Sequence, residues 1–412
     1  MAWTWSSLKT LPLAHLCLAI TFFLSGLCIN LIQLILYVTI NPFSDRLFKK
    51  INYYLHYSIC SQLVFLAEWW SESDSRCYVD PKDAQFFGKE HVLLVMNHTY
   101  EVDWLMGWLM ADRCGTLGSA KVYVKDMLRY VPIIGWSWVF SSIIFLRRKW
   151  DEDKEHIDRQ LAVLADYPDP VWLLIFCEGT RFTAAKHEAS MEVARRKGLP
   201  ELRHLLLPRT KGFTYSVSRL RDKFAAVYNV TVAFDTQNYA QPTLYNMMLG
   251  KKIVGDLYVE RIPMSEVPED EQEAAEFLHQ LYRNKVSSRT LSRHRNKVTG
   301  KFLHQLYRNK DKMLTSYLET GSYSRLSAAP ELPRLPVARR WFSLVNTLGW
   351  AALVLSPIVR ALLALLVSGS TLQATSGALI IAALFFGMYK MIGLTKISRA
   401  SSYGHSDGKK SQ

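Results

Sequence analysis

Several things are missing from this chain of 412 residues, and each absence narrows its function. The six cysteines (Cys17, Cys28, Cys60, Cys77, Cys114, Cys177) are scattered, with no C-x-x-C pair. That excludes a disulfide framework or a zinc ribbon and fits a reducing, cytosol-facing domain. Histidines and acids at metal-ligand spacing are lacking, so nothing argues for a metal. No serine or cysteine sits in a nucleophile-elbow pattern, which disfavours an acyl-enzyme. Zinc-finger and RNA-binding signatures are absent too, so the net charge of +14 does not read as nucleic-acid binding. Of that excess, +9 lies between Arg283 and Lys312, where ten Lys/Arg face one acid, Asp311. A basic block beside apolar segments fits anionic lipid head groups or an anionic ligand better than a DNA groove.

One absence is itself a signal. From Leu11 to Ile40 there is no Asp, Glu, Lys or Arg, a run longer than the roughly 20 residues that cross a bilayer. It is too long for a signal-peptide core and reads as a retained anchor, residues 1–41. Arg46, Lys49 and Lys50 follow it against Lys9 alone before it, which places the following domain in the cytosol. His15, Asn30 and Gln33 leave open one tilted span or two shorter embedded helices. Residues 42–85 are aromatic and sparsely charged and read as an amphipathic or interfacial connector. Near the other end, Phe342–Val367 and Leu372–Leu394 are each long enough to span, joined by Ser368-Gly369-Ser370-Thr371. Arg339, Arg340, Lys396 and Arg399 flank them, so both outer ends lie in the cytosol, with residues 396–412 a polar tail.

Between the anchors, residues 86–275 have an α/β pattern. Strands are expected at Val92–Met96, Lys121–Lys125, Ile143–Leu146, Trp172–Cys177, Ala226–Phe234 and Asp256–Arg261, with helical stretches between them. Asp151–Ala165 is the clearest helix, Asp151 being its expected N-cap. Strand–helix alternation predicts a mostly parallel sheet flanked by helices. Val131–Leu146 is uncharged for sixteen residues, too short to span, and reads as a core element or an acyl-chain pocket wall. In residues 276–338, Phe277–Lys285 (Phe-Leu-His-Gln-Leu-Tyr-Arg-Asn-Lys) recurs verbatim at Phe302–Lys310, ahead of a Pro-containing linker. Two copies do not make a solenoid, so this is a local duplication.

The chemistry centres on Asn97-His98-Thr99-Tyr100-Glu101-Val102-Asp103, where the first expected strand hands over to a helix, the usual ligand position in an open α/β sheet. A histidine paired with an aspartate can take a proton from a hydroxyl, because the carboxylate fixes the tautomer and stabilises the imidazolium. The bland alternative is a structural histidine at a strand end. Three further clusters bear on the choice: Glu178-Gly179-Thr180-Arg181 after a strand, Leu207-Pro208-Arg209-Thr210-Lys211-Gly212, and Arg147-Arg148 closing the uncharged run. A glycine after a strand admits a ligand close to backbone, and arginine offers a fork for phosphate. A base, phosphate-binding cations and apolar segments point to chemistry on a phosphorylated lipid.

The block N-H-x-x-x-x-D at Asn97, His98 and Asp103, followed by E-G-T-R at 178–181, resembles the glycerolipid acyltransferases. Phe145–Arg148 and Leu207-Pro208 fall where that family has its second and fourth blocks. Phe87–His91, Cys177–Thr183, Lys197–Pro200, Leu206–Phe213 and Ser401–Gly404 are similar to the animal 1-acylglycerol-3-phosphate acyltransferases, gamma/delta subgroup. The departures are Cys177, where many relatives have proline, and the duplication. The resemblance implies transfer of a fatty acyl group from acyl-CoA to the sn-2 hydroxyl of lysophosphatidic acid at the endoplasmic reticulum membrane. It implies His98 and Asp103 as the catalytic pair, with Asn97, Arg148, Glu178, Gly179, Thr180, Arg181, Pro208, Arg209 and Lys211 binding substrate. No cofactor is expected, acyl-CoA being a co-substrate; the partners are acyl-CoA, a lysophospholipid and the bilayer. The rivals are an acyltransferase for a lysolipid with a larger head group, a non-catalytic lipid-binding protein of the same fold, and a His-Asp metallohydrolase, for which ligands are too few.

Overall fold

The computed structural model describes residues 9–268, 291–367 and scattered positions between 371 and 387. Its centre is a seven-stranded sheet in the order β1-β7-β6-β2-β5-β3-β4. The strands are β1 Asp74–Val79, β2 Val92–Met96, β3 Ala120–Lys125, β4 Ile144–Leu146, β5 Trp172–Ile175, β6 Ala226–Phe234 and β7 Val254–Pro263. All neighbouring pairs are parallel except β6 and β7. Every residue of β2 and β6 is buried, as helices on both faces of a parallel sheet require. Six strands lie where expected. The seventh, β1, falls in the stretch read as a connector, because Asp74-Ser75-Arg76 looks too polar for a strand. It is an edge strand with an alternating burial pattern, and Arg76 pairs with Asp256 of β7 at 2.5 Å.

Helices α1 Pro12–Thr39 and α2 Asp45–Phe65 precede the sheet, and α3 Asp103–Arg113, α4 Ile134–Phe140, α5 Trp150–Ala165, α6 Ala184–Arg196 and α7 Thr210–Leu220 connect its strands. α8 Leu291–Thr320 and α9 Phe342–Val367 follow it. α5 starts one residue before the expected cap. Asp153, three residues into it, accepts from the N–H groups of Arg147 and Lys149 and closes that end instead of Asp151.

α1 is one continuous helix. Gln33 donates to Asn52 of α2 at 2.7 Å and to Ser137 of α4, and Asn52 donates to the Phe140 carbonyl. Gln33 is thus satisfied by protein, while Leu31, Leu34, Ile35 and Val38 are exposed. α9 packs against both α1 and α2 and exposes Val345, Leu348 and Leu353. By length and composition α1 and α9 are candidate membrane spans. Most of the second expected C-terminal span, Leu372–Leu394, and the first copy of the repeated nonapeptide lie outside the described residues.

Candidate active site

The carboxyl ends of β2 and β5 lie side by side and carry the two motif loops. β2 delivers Asn97-His98, and Asp103 opens α3 five residues later. The intervening turn folds Asp103 back, so that its Oδ2 accepts from His98 Nδ1 at 3.0 Å and from the N–H groups of Thr99 and Tyr100 at 2.6 and 2.8 Å. Asp103 is fully buried. Burial pushes its carboxyl above the usual range, and the His98 ring and the two N–H groups pull it back. Hydrogen bonds to a charged group contribute about 1.5–3 kcal/mol each, so three of them on one oxygen hold the turn rigidly. The His98 ring stacks on Phe176, ring centroids 4.2 Å apart. With Nδ1 committed to Asp103, Nε2 is left for the cavity that His98 lines.

The second loop locks onto the first. Glu178, fully buried, accepts from His98 N–H at 2.8 Å with one oxygen and from Leu206 N–H with the other, and Phe182 N–H donates to the His98 carbonyl. Gly179 has φ +70°, and a Cβ there would come within 3.1 Å of the Arg209 side chain, so only glycine suits the position. Arg148 reaches the Gly179 carbonyl at 2.6 Å from a backbone with φ +67°, a conformation rare outside glycine that concentrates at functional sites.

Of the substrate-binding residues expected from sequence, Arg148, Gly179, Thr180, Arg181, Pro208, Arg209 and Lys211 line the cavity together with His98. Asn97 and Glu178 do not. Both amide atoms of Asn97 are bonded to the backbone of Val232 in β6, so Asn97 ties β2 to β6 and Glu178 ties the two loops to each other. Sequence reasoning missed three charged residues at this mouth. Lys125 ends β3, Lys186 donates to Thr180 Oγ1 at 2.9 Å, and Glu101 lies 3.6 Å from Arg181. Burial and its cationic neighbours Arg181, Lys125 and Arg148 hold the Lys186 ammonium below its ordinary range, and Arg148 and Arg209 repel in the same way. Cations brought together against their own repulsion mark an anion site.

Away from this rim the cavity, of about 1820 Å³, turns apolar. Trp104 and Trp108 of α3, Phe22 and Phe23 of α1, and Ile133 and Trp138 from the uncharged run form its walls. Of Val131–Leu146, residues 131–134 and Trp138 thus line the cavity, whereas Ile143, Ile144 and Phe145 are buried in the core at β4.

An acyltransferase family model matches residues 78–234, and a model of the acyltransferase C-terminus matches 246–287 and 291–350. The 1-acyl-sn-glycerol-3-phosphate acyltransferase delta of Rattus norvegicus is 44% identical over 405 residues, covering 98% of each chain. The human delta protein is 43% identical over 402 residues, 98% of this chain and 97% of its own, and human gamma is 41% identical over 405 residues, 98% of each. The chain belongs to the acyltransferase family. It is an enzyme of the gamma/delta kind, and the His98–Asp103 pair lies within the segment that the family model matches. The C-terminal model matches in two stretches, with the first nonapeptide in 246–287 and the second in 291–350.

Proposed function

We propose that this acyltransferase moves a fatty acyl group from acyl-CoA to the sn-2 hydroxyl of lysophosphatidic acid, giving phosphatidic acid and free CoA in phospholipid synthesis. The observation that carries this reading is the His98–Asp103 pair, set where a cluster of cations meets an apolar cavity. Nε2 of His98 takes the hydroxyl proton as the acceptor oxygen attacks the thioester carbonyl. The tetrahedral adduct then collapses, the C–S bond breaks, and the imidazolium returns the proton to the departing sulfur. Asp103 holds the tautomer and stabilises the imidazolium. Arg148, Arg181, Lys186, Arg209 and Lys211 take up the phosphates of acceptor and CoA, while the apolar walls receive acyl chains. Thioester transfer of this kind needs no metal, and acyl-CoA is a co-substrate. The apolar faces of α1 and α9 fit a multi-pass protein of the endoplasmic reticulum membrane, and the basic flank of α1 favours a site facing the cytosol.

The test is acyl-CoA turnover by purified protein on lysophosphatidic acid, lysophosphatidylinositol and lysophosphatidylcholine, with His98→Ala alongside. Lysophosphatidic acid is expected to be the preferred acceptor, and His98→Ala to lose at least about 10²-fold in kcat while remaining folded. Preference for a larger head group overturns the acceptor, and a wild-type rate in His98→Ala overturns the base.

A further inference from the structure

α8 packs against α7 and β6 and brings buried polar residues up to the strands that carry the site. Its Lys310 is fully buried, and Nζ donates to the carbonyl of Val95 in β2 at 2.9 Å and to that of Val230 in β6. One turn earlier, the buried Tyr307 hydroxyl donates to the Met96 carbonyl, and the N–H groups of Cys177 and Glu178 approach it from β5. β2 and β5 deliver His98 and Glu178, and β6 runs beside β2, with Val230 opposite Met96. The groups facing the Lys310 ammonium are Glu178 and Cys177 beyond β5, Glu260 on β7 and Tyr307 on its own helix. Glu178 in turn faces a second buried acid, Asp103, and Lys310 is a cation that pulls Glu178 the other way. Both Glu178 oxygens accept N–H bonds, an arrangement that suits the carboxylate, and a buried carboxylate needs a counter-charge. Burial pushes Glu178 up and Lys310 down, each against the pull of the other's charge.

We propose that Lys310 is a positioning residue for the His98 base. It ties the end of β2 to the middle of β6 through the Val95 and Val230 carbonyls, and its charge favours the ionised form of Glu178, which holds the His98 backbone. The proposal rests on the reading of His98 as the base. It comes from a segment with no motif of its own: Lys310 closes the second copy of the nonapeptide, and Lys285 is its counterpart in the first.

The test uses full-length enzyme in detergent micelles. Lys310→Gln keeps a donor for the two carbonyls and removes the charge; Lys310→Arg keeps the charge; Lys285→Gln makes the same change in the other copy. Lys310→Gln is expected to lower kcat about 10–100-fold, with KM for lysophosphatidic acid within about twofold of wild type. The acid limb of its kcat/KM profile moves up by about half a pH unit or more, because Glu178 without its counter-charge holds its proton to higher pH. Lys310→Arg leaves the limb in place, and Lys285→Gln leaves rate and limb unchanged. An unmoved limb in Lys310→Gln, alone or combined with Lys285→Gln, overturns the proposal. Should Lys310→Gln fail to fold by circular dichroism, Lys310→Arg decides: a limb at the wild-type pH supports the proposal and a displaced one overturns it. His98→Ala at a wild-type rate overturns the base reading, whereas failure of the Lys310 variants alone leaves that reading standing.

Discussion

At the residue scale, Asp103 concentrates three donors on one oxygen and leaves the other without a hydrogen-bond partner. Asp103→Asn keeps the shape of that side chain but puts a carbonyl or an amide where the carboxylate stood. The imidazolium then lacks its counter-charge, and kcat is expected to fall about 10²–10⁴-fold with little change in acceptor KM, measured under saturating acyl-CoA. This pair was legible in the sequence because its members are five residues apart and one turn joins them. Asn97 and Glu178 sit in the same motifs, yet their work is to hold backbone at Val232, Leu206 and His98. Partners so distant along the chain leave no local mark. Lys125 was within reach: it ends an expected strand, and the rule that sites form at the carboxyl ends of parallel strands applies to it as it does to Asn97. Burial also changes the meaning of Asn97-His98-Thr99 and Asn229-Val230-Thr231, both of which match the glycosylation pattern. Both asparagines are buried, so a bare sequon says nothing about which side of the membrane the domain faces.

At the element scale, the central strands announced themselves as apolar runs, and the edge strand β1 did not. Half of an edge strand faces polar surroundings, and here Asp74 and Arg76 serve ion pairs to Arg113, Arg334 and Asp256. The seating of α1 on the catalytic domain was equally hidden. Ile133, buried with φ +69°, presses against Gly26 of α1, where an added Cβ would lie 2.2 Å from its Cγ2. Neither a β-branched side chain in that backbone conformation nor a packed helix has room to yield. Gly26→Leu is therefore expected to cost about 1–3 kcal/mol, read as a lower melting temperature in detergent. Because Ile133 lines the cavity, activity is expected to fall with it.

At the scale of the whole molecule, α1, α2 and α9 pack on one another and carry many of the exposed apolar side chains, while α6 carries the cations Lys186, Arg195 and Arg196. A cytosol-facing site makes a simple forecast. Cysteine placed at exposed Glu188 in α6 is expected to react with a membrane-impermeant maleimide in intact microsomes, above the wild-type background. Protection until detergent is added reverses the orientation. The duplication has a different consequence. Two identical nonapeptides are present and the groove behind β2, β5 and β6 holds one of them, residues 302–310. Selection on packing acts on this occupant: Phe302, Leu303, Leu306, Tyr307 and Lys310 are all buried. Tolerance to substitution along 302–310 would therefore follow the groove, lowest at these five positions and highest at the exposed Asn309 between them.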